Sequence, residues 1–354
     1  MITKESFTKE WILKQRSVFP KADPKLIERQ IYAFELLGLL VESGKEFVFK
    51  GGTSLLLLLP TAHRLSIDVD IVGNFTLQEL TTLIQDSIFR RVEEDDREKS
   101  DIPKKHFKFF YTSVIDNRDI YVLLDILYTS HGYPQLQQIP IANALFSVEY
   151  ELKTVVPTVD CILGDKLTAF APKTIGVPFG KMKSMEIIKH LFDIGELFDC
   201  SKDLESVAES YRSIHKQERK YRESRPSLHD TMQDTLQDTL ETSFLLCQSK
   251  LRGSQENEYV VELLQGIKQI QSYLLGEPYR IEEARSSAAK AALLIFIVKS
   301  NKINLNIEEL RYDQNKIPQI QDVLLEGKYQ ILNKLKATQT DAFYYWWLID
   351  KGLR

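Results

Sequence analysis

Cysteine is scarce: the 354 residues hold only Cys161, Cys200 and Cys247, an odd number, far apart, with no C-x-x-C pair and no Cys/His ligand spacing. That pattern counts against a zinc site and fits the reduced bystander thiols of a cytosolic protein. Long apolar runs are also missing. The longest, Leu55 to Pro60 and Ala291 to Val298, fall far short of the roughly 20 residues of a membrane span. The opening Met1-Ile-Thr-Lys-Glu-Ser is mixed in charge and has no apolar core, so it does not read as a secretory signal. An excess of positive charge is absent too, since 46 Lys and Arg face 50 Asp and Glu for a net charge of −4. That argues against a wholly basic nucleic-acid coat and leaves room only for a local basic groove. No G-x-x-x-x-G-K-[ST] loop occurs, which counts against a P-loop ATPase. A cytoplasmic, non-membrane protein long enough for two domains is expected.

Chemistry concentrates in two neighbouring stretches, Phe47-Val-Phe-Lys-Gly-Gly-Thr-Ser-Leu and His63-Arg-Leu-Ser-Ile-Asp-Val-Asp-Ile-Val72. They predict a strand, a glycine turn opening a helix, and a second strand. Asp68 and Asp70 are two residues apart and share one face, while Ile67, Val69 and Ile71 take the other. Gly51 and Gly52 let backbone approach a ligand, and Thr53 or Ser54 is expected to cap the following helix, whose free N–H groups favour phosphate. A third carboxylate, Asp125, interrupts the apolar run Tyr121-Val-Leu-Leu-Asp-Ile-Leu-Tyr. Charge in mid-strand is costly unless it is paired, protonated or metal-bound. Magnesium prefers oxygen ligands and keeps several waters, so carboxylates plus nucleotide phosphates suit one or two Mg²⁺ ions.

The remaining chain reads mostly as helix. Residues 4 to 44 show three-to-four spacing broken near Pro20 and Pro24, and Thr76 with Glu79 forms a capping box. Glu93 to Asp101 reads as a charged loop. Strands are expected over His106 to Val114 and Ile120 to Tyr128, joined by a turn at Asp116-Asn117-Arg118. A helix follows over Val159 to Phe170, then a loop holding Lys173, Lys181 and Lys183 without any acid, then a helix over Glu186 to Phe198. Beyond residue 200 only helical patterns appear, with helices over 259–275, 282–299 and 318–334. The basic stretch Tyr211 to Arg225 is either a solvated helix face or an RNA-backbone contact. The tetrad repeat starting at Asp230 predicts a packing helix, because four residues nearly match the helical repeat of about 3.6. The aromatic run 343–349 predicts a core plug.

Lys50-Gly-Gly-Thr-Ser-Leu followed by Arg64-Leu-Ser-Ile-Asp-Val-Asp-Ile resembles the first motif of the AbiEii/AbiGii abortive-infection toxins, nucleotidyltransferases related to the polymerase-β superfamily. The resemblance covers roughly residues 45 to 200. It implies an α/β (α+β) nucleotidyltransferase fold, expected over residues 1–200 as a mixed, mostly antiparallel sheet with flanking helices, while the helical patterns beyond residue 200 predict an all-helical domain over 201–354. By the same resemblance Lys166, in Gly164-Asp-Lys-Leu-Thr-Ala, contacts the triphosphate, with Asp193, in Lys189-His-Leu-Phe-Asp-Ile, beside it. The pair ahead of that aspartate is Lys189-His190, where the family commonly has Arg-Asp or Lys-Asp. The expected site is then Asp68, Asp70 and Asp125 as catalytic carboxylates and metal ligands, with Lys50, Gly51, Gly52, Thr53 and Lys166 at the nucleotide and Arg64 and Ser66 in support. The implied function is Mg²⁺-dependent transfer of a nucleotide from NTP to an RNA acceptor, in several relatives the 3′ end of tRNA, by the toxin of a toxin–antitoxin system. Its antitoxin need not bind it stably. The alternatives are a nucleotidyl- or phosphotransferase acting on a protein or small molecule, or a non-catalytic nucleotide-binding interaction protein.

Overall fold

The computed structural model describes residues 1–61, 63–95, 102–221, 231–254 and 256–352. Most of the charged run to Asp101, residues 222–225 of the basic stretch and Asp230 of the repeat lie outside them. The chain forms two compact units, one of Met1–Thr158 with Ser272–Pro278, the other of Val159–Gln271 with Tyr279–Arg354. Compactness thus divides the chain earlier than residue 200, because the helices after Thr158 pack among the C-terminal helices.

In the first unit, α1 (Lys9–Lys14) and α2 (Pro24–Glu42) are flanked by short 3₁₀ turns. Asp23 caps α2, accepting from Lys25 N, and Pro24 sits in its first turn, where its fixed φ and missing N–H suit a helix start. Five strands follow as β1 (Phe47–Lys50), β2 (Val69–Gly73), β3 (Arg91–Glu94), β4 (Lys104–Thr112) and β5 (Asp119–Leu127), with α3 (Leu55–Leu58) and α4 (Leu77–Leu83) between them. Their order is β1-β2-β5-β4-β3. Only β2 and β5 run parallel; the other neighbours are antiparallel. A separate hairpin of β6 (Leu136–Pro140) and β7 (Lys153–Pro157) completes the strands. Sequence periodicity finds neither β3, whose last two residues fall in the expected charged loop, nor this hairpin. Alternation explains the core: Phe107, Phe109 and Tyr111 of β4 and Val122, Leu124 and Ile126 of β5 are all fully buried. They share one face with Phe49, Val69 and Ile71, and α2 contributes Ile31, Phe34 and Leu37 to the same cluster. Full burial of each such side chain is worth about 1.5–3 kcal/mol, which fixes the register of this face; the other face is mixed, carrying Lys50, Asp70 and Asp125 alongside the buried Val48, Val72 and Leu123.

The second unit holds the remaining helices: α5 (Val159–Ala169), α6 (Ser184–Cys200), α7 (Leu204–Lys220), α8 (Met232–Gln248), α9 (Glu258–Gln269), α10 (Ile281–Lys299), α11 (Ile307–Leu310), α12 (Ile317–Ile320) and α13 (Thr340–Asp350). No strand follows Pro157 among the described residues. A helix expected over 318–334 is instead the four-residue α12 and a 3₁₀ segment, Gly327–Leu335. Leu236 and Leu240 of the repeat are buried, as are Phe343, Tyr344 and Trp346 of the aromatic run.

Candidate active site

Register brings the expected residues together. Lys50 of β1 stands opposite Asp70 of β2, Asp70 opposite Asp125 of β5, and Asp125 opposite His106 of β4. Four polar side chains therefore form one row across the sheet, on the face turned away from the core. Asp68 lies one residue ahead of β2 and, like Asp70, is half-buried.

The glycine turn is built against this row. Gly51 has a φ of +82°, and a Cβ placed there would meet Asp70 Cγ at 3.0 Å. At Gly52 a Cβ would lie 2.7 Å from both Arg64 Nη2 and Ser66 Oγ. Both positions thus need glycine, the first for its backbone and both for space. Arg64 is buried and donates through Nη1 to Leu65 O at 3.0 Å. The segment around it is pinned from far along the chain: Leu65 N donates to Tyr273 O and Leu275 N to His63 O, at 2.7 and 2.8 Å. Ser66 N donates to the buried Gln30 at 3.0 Å.

Thr53 has no exposed surface. Its hydroxyl lies 2.9 Å from Ser66 O and also contacts Asp68 O, tying the turn to the carboxylate segment. Ser54 is the N-cap of α3 without a side-chain capping bond, and its hydroxyl donates to Gly51 O at 2.8 Å. The expected side-chain cap is not made, since the Thr53 hydroxyl bonds to the carboxylate segment and the Ser54 hydroxyl to Gly51 O.

Asp125 is held by two donors. Lys104 Nζ lies 2.6 Å from one carboxylate oxygen and His106 Nδ1 lies 2.5 Å from the other. Burial alone would raise its pKa, but the Lys104 ammonium and the two hydrogen bonds outweigh that and hold it below the ordinary carboxylate range. Sequence reasoning passed over Lys104 and His106. The alternation of Lys104, His106 and Lys108 with Phe107, Phe109 and Tyr111 puts them on the polar face; only the register puts them against Asp125.

In the second unit Lys166 of α5 and Asp193 of α6 form an ion pair at 2.8 Å with side chains 7% and 1% exposed. Among the described residues no group of three or more His, Cys, Asp or Glu is gathered to hold a metal. Asp68 and Asp70 nevertheless suit magnesium, which is commonly held by one or two carboxylates plus substrate phosphates.

No curated protein matches the chain. Among solved structures it is similar to JHP933 from Helicobacter pylori, at 13% identity over 83% of this chain and 99% of that one, with a TM-score of 0.41. A second Helicobacter pylori structure, described as a candidate nucleotidyltransferase, aligns at 14% identity over 81% and 99%, with a TM-score of 0.42. The profile of the nucleotidyl transferase AbiEii toxins of type IV toxin–antitoxin systems matches residues 36–265. That span contains the glycine turn, all three aspartates and the Lys166–Asp193 pair, and the chain belongs to the AbiEii family of nucleotidyltransferase toxins.

Proposed function

We propose that this toxin is a cytoplasmic, Mg²⁺-dependent enzyme that transfers a nucleotide from an NTP to an RNA acceptor, tRNA in particular. The observation carrying this reading is the row of Asp70 and Asp125 on parallel neighbouring strands, with the glycine turn packed on Asp70. The transferase domain is taken as residues 1–200 and the helical domain as 201–354. A cognate antitoxin follows from the family, and it need not form a stable complex. No described helix is long and apolar enough to cross a membrane.

Asp68 and Asp70 are assigned as the metal ligands, with Asp125 as the third carboxylate, which orients or deprotonates the acceptor hydroxyl. When bound, one or two Mg²⁺ ions would supply charge neutralisation at the phosphates and acidify the attacking hydroxyl. Gly51 and Gly52 let the backbone of the turn come close to the phosphates. Arg64 and Ser66 support that turn from behind, and Lys50 and Lys166 add positive charge toward the nucleotide. Thr53 is retained as a phosphate-side residue acting through the turn it ties down. Asp193 holds the Lys166 ammonium through their ion pair.

The acceptor is tested by incubating the purified protein with Mg²⁺, bacterial RNA and each α-labelled NTP, then separating RNA, protein and small molecules. Label in RNA of tRNA size supports the reading. Label confined to a protein hydroxyl or a small molecule replaces the acceptor, and absence of any joint NTP and Mg²⁺ binding favours a non-catalytic interaction protein.

A further inference from the structure

The sheet face that carries Asp70 runs on past the carboxylate row into a cavity. Val48 precedes Lys50 by two residues, Val72 follows Asp70 by two, and the two valines stand opposite each other, on the same face as the row. At 3.3 Å or so per residue they lie roughly 6–7 Å along the strands from it. With Leu136, Thr154 and Val155 of the β6–β7 hairpin they line a cavity of about 550 Å³, inside the range of about 300–1,000 Å³ typical of small-molecule sites. Thr154 is 2% exposed, and its buried hydroxyl has no hydrogen-bond partner among the described residues, a cost that a hydrogen-bonding ligand would offset. Lys45, His131 and Lys153 also line the cavity, against Glu46 as the one acid among its described lining residues. Lys45 is paired with Glu79 at 2.7 Å. Lys153 meets Glu151 only at 3.5 Å, both side chains being more than half exposed, and so weak a pair leaves the ammonium able to turn to another anion. Position along the strands supplies the direction. β1 ends at Lys50 and runs into the glycine turn, whereas the cavity lies at the start of β1 and the end of β2. Turn and cavity thus flank the carboxylate row from opposite ends of the same two strands. With NTP phosphates at the turn, pyrophosphate leaves toward it, and the attacking oxygen of an in-line displacement arrives from the other side.

We propose that this cavity seats the terminal nucleoside of the RNA acceptor, its base against Val48, Val72, Leu136 and Val155 with a hydrogen bond to Thr154, and its phosphate at Lys153 and His131. The 3′-hydroxyl then faces the row of Asp70 and Asp125. This rests on the reading of the glycine turn as the phosphate side and of RNA as the acceptor. In the transfer, the hydroxyl oxygen bonds to the α-phosphorus as the bond to pyrophosphate breaks, and the hydroxyl proton passes to the Asp125 carboxylate.

The test is steady-state transfer by the full chain with bacterial tRNA and each labelled NTP, beside fluorescence anisotropy of 5′-labelled tRNA binding. Leu136→Trp, at a 37% exposed position of β6, narrows the cavity and should raise the KM for tRNA on the order of tenfold, the low end of what one misfitted group in a pocket costs. The KM for NTP should stay unchanged. Thr154→Val should weaken tRNA binding roughly two- to tenfold, the scale of one hydrogen bond. Its Tm should not fall, because the hydroxyl bonds to nothing among the described residues. Lys153→Met should lessen the salt dependence of tRNA binding by about one phosphate contact. Folded Leu136→Trp and Thr154→Val proteins with the wild-type KM for tRNA would overturn the proposal. So would a raised KM for NTP with tRNA unaffected, which would put the NTP base in the cavity. Wild type scores the underlying reading separately: if it neither binds nor labels tRNA, the RNA acceptor fails first and takes the inference with it.

Discussion

Gly51 packs directly on the carboxylate of Asp70: a methyl group added to Gly51 would come within 3.0 Å of Asp70 Cβ and Cγ, at a backbone φ of +82°. Gly51→Ala should therefore act twice. The left-handed backbone costs a non-glycine residue roughly 1–2 kcal/mol, lowering Tm. Displacing Asp70 should reduce transfer by on the order of 100-fold, the scale of a 1 Å misplacement in a catalytic site. Thermal melts and label transfer on the same preparation check both, and wild-type activity in this variant would contradict the placement of Asp70.

Thr53 offers a second separation of roles. Thr53→Val keeps the shape but removes the donor to Ser66 O and Asp68 O, which should cost about 1–3 kcal/mol for buried acceptors left unsatisfied. Thr53→Ser should recover most of it. Urea unfolding checks the stability; a Thr53→Val variant of undiminished stability with weakened NTP binding would instead make the hydroxyl a direct phosphate contact.

The Lys166–Asp193 pair is buried on both sides, so removing one partner strands the other charge. Lys166→Met should destabilise by about 3–5 kcal/mol, and adding Asp193→Leu should recover much of that loss. Denaturant midpoints of the single and double variants decide it. A double variant no more stable than Lys166→Met would mean that the pair is not coupled as its geometry implies.

Asp125 gives the pH dependence its sign. Its folded pKa is depressed, against the pull of burial, by Lys104 and His106. A depressed carboxylate contributes stability above its unfolded pKa of about 3.9, and loses that contribution as pH falls through the lower folded value. Acid unfolding of Asp125→Asn should accordingly be shallower than wild type below about pH 4, the unfolded range of an aspartate. A variant with an unchanged acid limb would show that the carboxylate is not held by its cationic neighbours.

Much of the carboxylate side of the site was legible because it is local. Two aspartates at i and i+2 on an apolar strand share a face whatever the fold, and a lone charge in Tyr121 to Tyr128 marks a strand that must satisfy it. Glycine at 51 and 52 was likewise readable as close backbone approach. Lys104 and His106 were not, since their partner lies across a strand register that periodicity cannot supply. Nor was the tie from Tyr273 to Leu65, which joins residues more than two hundred positions apart. The hairpin of β6 and β7 escaped notice for a different reason. Its first strand alternates exposed with half-buried positions, so hydrophobic contrast is weak. The four-residue α3 was read as a capped helix, yet the hydroxyls ahead of it bond elsewhere, Thr53 to Ser66 O and Asp68 O and Ser54 to Gly51 O, a preference that capping propensity does not foresee.

The proposed role of the Asp68–Asp70 pair in nucleotidyl transfer is tested most directly by comparing wild type with Asp70→Ala and with Asp68→Ala/Asp70→Ala in Mg²⁺, bacterial RNA and each α-labelled NTP. Label should enter tRNA-sized RNA with the intact protein alone, both variants remaining folded by circular dichroism. Undiminished labelling by the folded Asp70→Ala protein would contradict the assignment.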